Sequence, residues 1–175
     1  MNVSEEFFHT PRLIARRFRQ GDSDFLCQMQ ANEKVMRYIT GRAKSIEESE
    51  EELCRILDAY TRRNNDFLVM ALEQADTGRL VGSCAVVGGE IGFRLEEACW
   101  GHGYGREVFA GLSTYCLETL GMAEITAEVD EENTACIRIL ESGMIRIETN
   151  TDPSSGKRAF RYRLTGLDHG GMGQQ

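Results

Sequence analysis

The sequence lacks any apolar run approaching the roughly 18 residues that a helix needs to cross a bilayer. Its first ten residues include Glu5 and Glu6 and show no basic segment followed by an apolar one, so we expect no secretory signal. Only two prolines occur, and both fall in expected loops. These features predict a cytoplasmic protein with one domain over residues 1–165, followed by a glycine-rich flexible tail at 166–175.

The sequence also lacks a C-x-x-C pair, although it contains six cysteines. A zinc site is typically built from such pairs or from clustered histidines, so we expect no metal. Four of the cysteines lie in apolar stretches, which is typical of small buried side chains and of a reducing compartment. The six are Cys27, Cys54, Cys84, Cys99, Cys116 and Cys136.

Positive charge is in deficit, because 20 Lys and Arg residues face 28 Asp and Glu residues for a formal net charge of −8. This balance disfavours nucleic acid as a partner and favours the approach of cations such as amines or basic protein tails. An anionic cofactor would need a locally positive pocket on such a protein.

Hydrophobic patterning predicts a mixed α/β sheet flanked by helices. Strands are expected at 12–18, 67–74, 79–87, 90–95, 124–130, 144–148 and 158–164. Between them, helices are expected from Asp22 or Ser23 through Met29, over 35–39, from a capping box at Ser45 and Glu48, from Gly105 to Gly121, and from Asn133 or Thr134 to Gly143.

The most informative segment is EIGFRLEEACWGHGYGRE, residues 90–107. Gly101, Gly103 and Gly105 follow a strand and open a helix, so backbone N–H groups over 101–106 are placed to bind a pyrophosphate. The segment is neither a Walker loop nor a G-x-G-x-x-G fingerprint. Taken alone, it is better explained as a tight strand-to-helix turn.

Further motifs surround this loop. Trp100, Gly101, Gly103, Tyr104 and Glu107 form a W-G-x-G-Y-x-x-E pattern. An N-x-x-C segment at 133–136 leads into a hydrophobic-rich stretch at 137–141 and a Gly-Met pair at 143–144, and the chain opens with T-P-R-L at 10–13. In this order the motifs resemble the GNAT superfamily of N-acetyltransferases, in particular the RimJ/RimL-like branch that acetylates ribosomal-protein N-termini.

The resemblance implies a GNAT fold, with a mostly antiparallel twisted sheet of six to seven strands, about four helices, and splayed strands that form an acetyl-CoA cleft. The pantetheine arm would lie between the strands at 90–95 and 124–130, and its amide would pair with backbone near Leu95. The pyrophosphate would lie on the loop. The expected cofactor-binding residues are Leu95, Trp100, Gly101, His102, Gly103, Tyr104, Gly105, Arg106, Asn133 and Arg138.

Several of these assignments have a second interpretation. Trp100 lines the acceptor pocket or packs under the loop, and Tyr104 is similarly undecided. Arg106 and Arg138 are candidate phosphate ligands or solvated helix residues. For His102 we expect the backbone to matter more than the ring.

Two residues are candidate catalysts. An alkylammonium with a pKa near ~10 must lose its proton before it attacks a thioester, and Glu90 is the first choice of base, through water, or else a solvated carboxylate. Cys136 stands where relatives carry a serine suggested to protonate the departing coenzyme A; it is either that acid or a packing residue. An acetyl-cysteine route ranks last, because no histidine lies nearby in sequence.

The second motif departs from its relatives in two further ways. The helix end at 141–143 is one residue shorter than is usual, and Leu140 fills the position where other GNAT members carry a tyrosine acid. Transfer of roles in this helix is therefore weaker than in the glycine loop.

The expected activity is acetyl transfer in a ternary complex to an amine, which is a protein N-terminus or a small amine. A non-catalytic acyl-CoA sensor is the alternative, and the sequence leaves monomer and homodimer open. No nucleic acid or membrane is expected as a partner.

Overall fold

The computed structural model describes residues 5–62 and 66–169, and these form a single eight-stranded sheet. The strands, in the spatial order β1-β2-β3-β4-β5-β6-β8-β7, are all antiparallel to their neighbours except for β5 and β6. Their bounds are β1 Glu6–His9, β2 Leu13–Arg16, β3 Phe67–Gln74, β4 Leu80–Val87, β5 Glu90–Leu95, β6 Glu124–Asp130, β7 Ile145–Thr151 and β8 Arg158–Thr165.

The helices flank this sheet. They are α1 Ser23–Gln30, α2 Glu33–Met36, α3 Ile46–Ala59, α4 Tyr104–Thr114, α5 Thr134–Leu140 and α6 Gly166–His169. A π-helical turn, Tyr115–Thr119, continues α4, and short 3-10 turns cover Gln20–Asp22 and Glu97–Cys99. Within the described ranges, none of these helices combines the length and the apolar character that a membrane crossing requires.

One helical layer lies on each face of the sheet. On the first face, α1–α3 bury Leu26, Leu53 and Ile56. On the second face, α4 and α5 bury Leu112 and Leu140 among the side chains of the central strands. The strands have apolar side chains on both faces where helices cover them, so β3 is buried over four consecutive residues, from Val69 to Leu72.

The expected order of elements is confirmed, and β3, β5 and β6 have the expected bounds. The first expected strand is shorter, Leu13–Arg16, and the short second helix lies at Glu33–Met36 rather than at 35–39. The expected tail begins with a helical turn, Gly166–His169, whereas 170–175 fall outside the described residues.

The additional strand is β1, which the sequence did not reveal. Its four residues pair with β2 at the edge of the sheet and are only half-buried, so they have no strong alternation. Phe8 and Thr10 lie directly on α4 at Gly111, where an added Cβ would stand 2.8 Å from the Phe8 ring and 2.7 Å from the Thr10 methyl. A glycine in mid-helix therefore allows this strand to pack, which is a contact between distant parts of the chain.

Tyr60 attaches the α1–α3 layer to the sheet. Its hydroxyl donates to the Val69 carbonyl at 2.5 Å and accepts from the Phe18 N–H at 3.0 Å. Burial raises the pKa of Tyr60 to about 12, so the phenol stays protonated and the donated bond persists at all ordinary pH values.

We expect Tyr60→Phe to lower the free energy of unfolding by about 1 to 3 kcal/mol, because it leaves a buried carbonyl and a buried N–H without their partner. Urea denaturation measures this loss. Tyr115→Phe, which keeps the ring contacts with Phe7 and Phe8, is the control. Equal stability of the Tyr60 variant and the wild type would show that the hydroxyl does not hold this layer.

Candidate active site

A gap opens in the middle of the sheet, between β5 and β6. These two strands are parallel and pair at one position, Glu90 with Thr126, where the Thr126 N–H donates to the Gly89 carbonyl at 2.9 Å. Beyond this point they separate toward their carboxyl ends, Leu95 and Asp130. The sheet therefore contains a wedge that is closed at Glu90 and open at Leu95.

The backbone of β5 offers polar groups to this gap. The Glu96 N–H donates to the Val81 carbonyl at 2.9 Å, and Leu95 is the next residue along the β4–β5 ladder. Because hydrogen-bonded and non-hydrogen-bonded pairs alternate in an antiparallel ladder, Phe93 and Leu95 direct their N–H and C=O groups away from β4. One of these groups, the Leu95 carbonyl, accepts the indole N–H of Trp100 at 2.9 Å.

Side chains of β5 alternate between the two helical layers. Phe93 and Leu95 pack in the α4 layer. Arg94 faces the α1–α3 layer, where its Nη2 lies 2.6 Å from Glu52 Oε1 of α3. Because side chains alternate between the two faces along a strand, Glu90 lies on the same face as Arg94, and it is exposed. The gap is thus bordered by different residues on its two faces.

The glycine-rich loop connects the open end of β5 to α4. Gly101 and Gly103 have φ of +77° and +83°, which other residues adopt only with strain, and Gly103 is the N-cap of α4. At Gly105 an added Cβ would stand 2.8 Å from Ile139 Cδ1 of α5 and 3.5 Å from Phe93 Cε2. The first turn of α4 therefore lies tightly across the gap, and the N–H groups that open a helix are suited to an anion.

Arg12 and Glu107 clamp this loop to the segment before β2. Glu107 accepts hydrogen bonds from the Thr10 hydroxyl at 2.6 Å, from the Arg12 N–H at 2.7 Å and from Arg12 Nε at 2.7 Å. Arg12 Nη1 donates to the His102 carbonyl at 2.9 Å, and its guanidinium lies 4.4 Å from the centre of the Tyr104 ring. One arginine thus holds both the backbone of the loop and Tyr104, the first residue of α4.

The two aromatic residues of the motif support the loop. The Tyr104 hydroxyl accepts from Gln74 Nε2 at 2.8 Å, which ties the start of α4 to the end of β3. Trp100 is 44% exposed, and its indole N–H binds the Leu95 carbonyl, so it braces the turn that leaves β5. The Leu95 carbonyl therefore has a partner already, whereas the Leu95 N–H is directed toward the gap.

Across the gap, α5 begins at Asn133, whose side-chain oxygen accepts the Cys136 N–H at 3.2 Å and caps the helix. Cys136 is half-buried, and burial raises the pKa of its thiol to about 11. Arg106 on the first turn of α4 and Arg138 on α5 are both exposed. In the part of the chain that the structure describes, no three His, Cys, Asp or Glu side chains are grouped to hold a metal.

The expected site residues therefore fall into three places. The loop residues, from Leu95 to Arg106, lie together at the open end of the gap. Asn133, Cys136 and Arg138 lie on the facing helix α5. Glu90 stands apart at the closed end, five residues and about 16 Å of strand from Leu95.

The sequence matches the family model described as an acetyltransferase (GNAT) domain over residues 12–143, which is most of the chain. The chain belongs to the GNAT acetyltransferase family. Its fold is accordingly the expected GNAT fold, here with eight strands rather than six to seven because β1 is added. The family uses acetyl-CoA as acetyl donor, which is a substrate more than a cofactor.

Similar proteins agree with this assignment. An uncharacterized N-acetyltransferase, p20 from Bacillus licheniformis, is 26% identical over 146 residues, which are 78% of this chain and 80% of that protein. A GNAT-family acetyltransferase from Bacillus anthracis has a similar structure, with a TM-score of 0.80, 20% identity, and coverage of 92% of this chain and 99% of that one.

A third similar structure is that of a spermidine N-acetyltransferase from Vibrio cholerae in complex with CoA and spermine. It has a TM-score of 0.77 and 18% identity, and the match covers 90% of this chain and 97% of that one. At such identities the two structures support the fold.

Arg12 is the functional candidate that sequence reasoning missed. The T-P-R-L start and Glu107 each belong to a motif, but their contact joins residues 95 positions apart. The sequence shows an arginine in one motif of the family and a carboxylate in another. It does not show that the two side chains are in contact.

We expect Gly103→Ala to weaken acetyl-CoA binding at least tenfold, because a side chain at φ +83° strains the loop that would hold the pyrophosphate. Gly121→Ala is the matched control, since Gly121 has φ +66° after the far end of the same helical segment. Calorimetry with acetyl-CoA compares the two. Equal affinities in both variants would remove the loop from donor binding.

The Glu107 clamp predicts a pH-dependent contribution to stability. Burial opposes the charged form, but hydrogen bonds from Thr10 and Arg12 outweigh it and hold the pKa of Glu107 below its ordinary value. A lowered pKa means that the stabilisation is complete above about pH 4.3 and is lost as the pH falls through the folded-state pKa.

We therefore expect Glu107→Gln to lower the free energy of unfolding by about 2 kcal/mol at pH 7, and by progressively less as the pH falls below about 4. Denaturation across this pH range measures the difference between variant and wild type. Glu148→Gln, on the exposed edge strand β7, is the control. A difference that does not change with pH would contradict the ionised clamp.

Proposed function

We propose that this GNAT protein transfers the acetyl group of acetyl-CoA to a primary amine by direct attack in a ternary complex. The observation that carries the proposal is the gap between β5 and β6, which has the glycine loop at its open end and different residues on its two faces. A donor held from the loop would present its thioester in the gap, and an acceptor would reach it from the α1–α3 face.

The donor would be bound mainly by backbone. The N–H groups over 101–106 and the positive end of the α4 dipole would receive the pyrophosphate, which lets a protein of net charge −8 hold a polyanion. The pantetheine amides would pair with the free edge of β5, using the N–H of Leu95 and the C=O of Phe93. Arg106 and Arg138 would add charge near the phosphates, and the amide nitrogen of Asn133 would face the arm.

Acetyl transfer would need a base for the amine and a hydrogen-bond donor for the developing oxyanion. Glu90, on the acceptor face, would take a proton from the ammonium through water, so that the nitrogen lone pair can attack the thioester carbonyl. The N–H of Phe93, which also points away from β4 and lies nearer to Glu90 along the strand, would stabilise the tetrahedral oxyanion before the C–S bond breaks. As the C–S bond breaks, the proton that the nitrogen still has to lose passes through water to the departing thiolate, so the products are an amide and coenzyme A thiol.

Cys136 takes no part in this proposed reaction. An ordinary cysteine thiol has a pKa of about 8.5, whereas burial raises the pKa of Cys136 to about 11. Proton transfer from Cys136 to the departing thiolate is therefore uphill. The same pKa leaves almost no thiolate at neutral pH for an acetyl-cysteine intermediate.

Two acceptor classes are proposed, one from the family resemblance of the sequence and one from a similar solved structure. The W-G-x-G-Y-x-x-E loop and the N-x-x-C helix start support the RimJ/RimL-like branch and protein N-termini as acceptors. The structural likeness to a spermidine N-acetyltransferase supports polyamines as the second class to test. We also propose a cytoplasmic location, since all six cysteines are free thiols.

We expect Glu90→Gln to lower kcat roughly 100-fold, because the amide cannot accept the proton, while the dissociation constant of acetyl-CoA stays within about twofold. Steady-state kinetics and calorimetry measure the two quantities. Glu124→Gln is the matched control, since Glu124 is an exposed carboxylate at the start of the adjacent strand β6. Unchanged turnover in Glu90→Gln would remove Glu90 from the mechanism.

A non-catalytic acyl-CoA sensor would require the loop but not a base. Tight acetyl-CoA binding by the wild type without turnover on any amine would favour that alternative.

A further inference from the structure

The helix α2 and its flanks lie across the open end of the gap. Four hydrogen bonds attach this segment to two acidic residues that lie in different loops. Glu97 receives Asn32 Nδ2 at 2.8 Å and Lys34 Nζ, and Glu132 receives Arg37 Nη2 at 3.0 Å on its carboxylate and the Tyr38 hydroxyl at 3.3 Å on its carbonyl.

The two acidic residues lie just beyond the ends of the two separated strands. Glu97 comes two residues after the end of β5, and Glu132 comes two residues after the end of β6. They therefore mark the two sides of the wedge where the strands have separated. A helix of four residues, Glu33–Met36, spans the distance between them.

The underside of α2 rests on the acceptor face of β5. Met36 is fully buried, and its sulfur lies 4.0 Å from Nη1 of Arg94. Because α4 and the glycine loop occupy the other layer, the face beneath α2 is the one left for the acceptor. An amine that enters the gap on this face from the open end would therefore pass beside this segment.

The ends of α2 are held weakly, whereas its underside is anchored by the buried side chains of Val35 and Met36. Side-chain exposures are 62% and 64% for Arg37 and Glu132, and 70% and 39% for Lys34 and Glu97. Exposed ion pairs of this kind contribute about 0 to 1 kcal/mol each, and a single helical turn is not stable in isolation. These ion pairs therefore bias the position of the ends of α2, while Met36 keeps the segment attached to the core.

We infer that Glu97 and Glu132 are positioning residues that hold α2 as a strap over the acceptor entrance. This inference rests on the proposed function, because it concerns how the amine enters the same site. The strap leaves the donor side untouched, so it acts on the apparent affinity for the acceptor and not on that for acetyl-CoA.

The opposing interpretation is that the two carboxylates bind the cationic acceptor directly. The two interpretations predict opposite changes in the acceptor KM when Arg37 is replaced. If Glu132 binds the amine, removal of Arg37 frees the carboxylate and lowers the acceptor KM. If Glu132 holds the strap, removal of Arg37 releases α2 and raises the acceptor KM.

The kinetic test compares Glu97→Gln, Glu132→Gln, Arg37→Met and the double variant Arg37→Met/Glu132→Gln in the full chain. The strap predicts a rise of about threefold to fivefold in acceptor KM for each single variant, with less than a twofold change in kcat and in the acetyl-CoA dissociation constant. The double variant is no worse than either single one, because both remove the same contact. The charge-reversed pair Arg37→Glu/Glu132→Arg restores the KM.

The matched control is Asp58→Asn, which breaks an ion pair of similar exposure with Arg62 at the end of α3. It leaves the acceptor KM unchanged. A lower KM in Arg37→Met, or additive effects in the double variant, would overturn the strap.

Amide hydrogen exchange over residues 33–41 separates this inference from the proposed function. The strap predicts faster exchange of these amides in Glu97→Gln and Glu132→Gln than in the wild type, with no change in Asp58→Asn. Equal exchange in all four proteins would overturn the strap even if turnover is observed. Absence of turnover in the wild type would instead refute the proposed function, and the exchange result would still decide whether the two acids hold α2.

Discussion

The site depends on one constraint, which is that β5 and β6 pair at a single position. Parallel neighbours in a sheet ordinarily share a ladder of hydrogen bonds, whereas here Glu90 and Thr126 form the one registered pair and the strands then separate. The separation leaves backbone groups of Phe93 and Leu95 directed into open space inside a protein. It also gives the gap two different sides, one with α4, where we propose that the donor binds, and one with α1–α3, where we propose that the acceptor enters. A fully paired sheet would have neither the free backbone groups nor the gap with two sides.

The second requirement is an anion site on an acidic protein. The net charge of −8 opposes a polyphosphate, so the attraction must come from local features. Gly101 and Gly103 supply a backbone that approaches closely, α4 supplies a dipole, and Arg12 holds the loop in place through Glu107 and the His102 carbonyl. The same clamp explains why an acidic residue stands in the first turn of a helix whose N-terminus would bind phosphate, since Glu107 binds Arg12 rather than the ligand.

Local patterns predicted most of the fold, because alternation, capping residues and glycines act within a few positions. The capping box at Ser45 and Glu48 is confirmed, with both of its hydrogen bonds present. Features that depend on distant residues escaped prediction, including β1 against Gly111, the Arg12 clamp and the strap at Glu132. The thiol of Cys136 shows the limit most directly, since its raised pKa comes from burial, which the sequence shows only by analogy.

The central claim is that the two faces of this gap bring acetyl-CoA and an amine together for transfer. The most direct measurement is acceptor-dependent release of coenzyme A thiol, with peptide N-termini, polyamines and amino-bearing antibiotics tested separately at equal concentrations. The account predicts turnover with one of these amine classes, together with acetylated product in equal amount. Confirmed acetyl-CoA binding with no thiol release in the presence of any amine would contradict it.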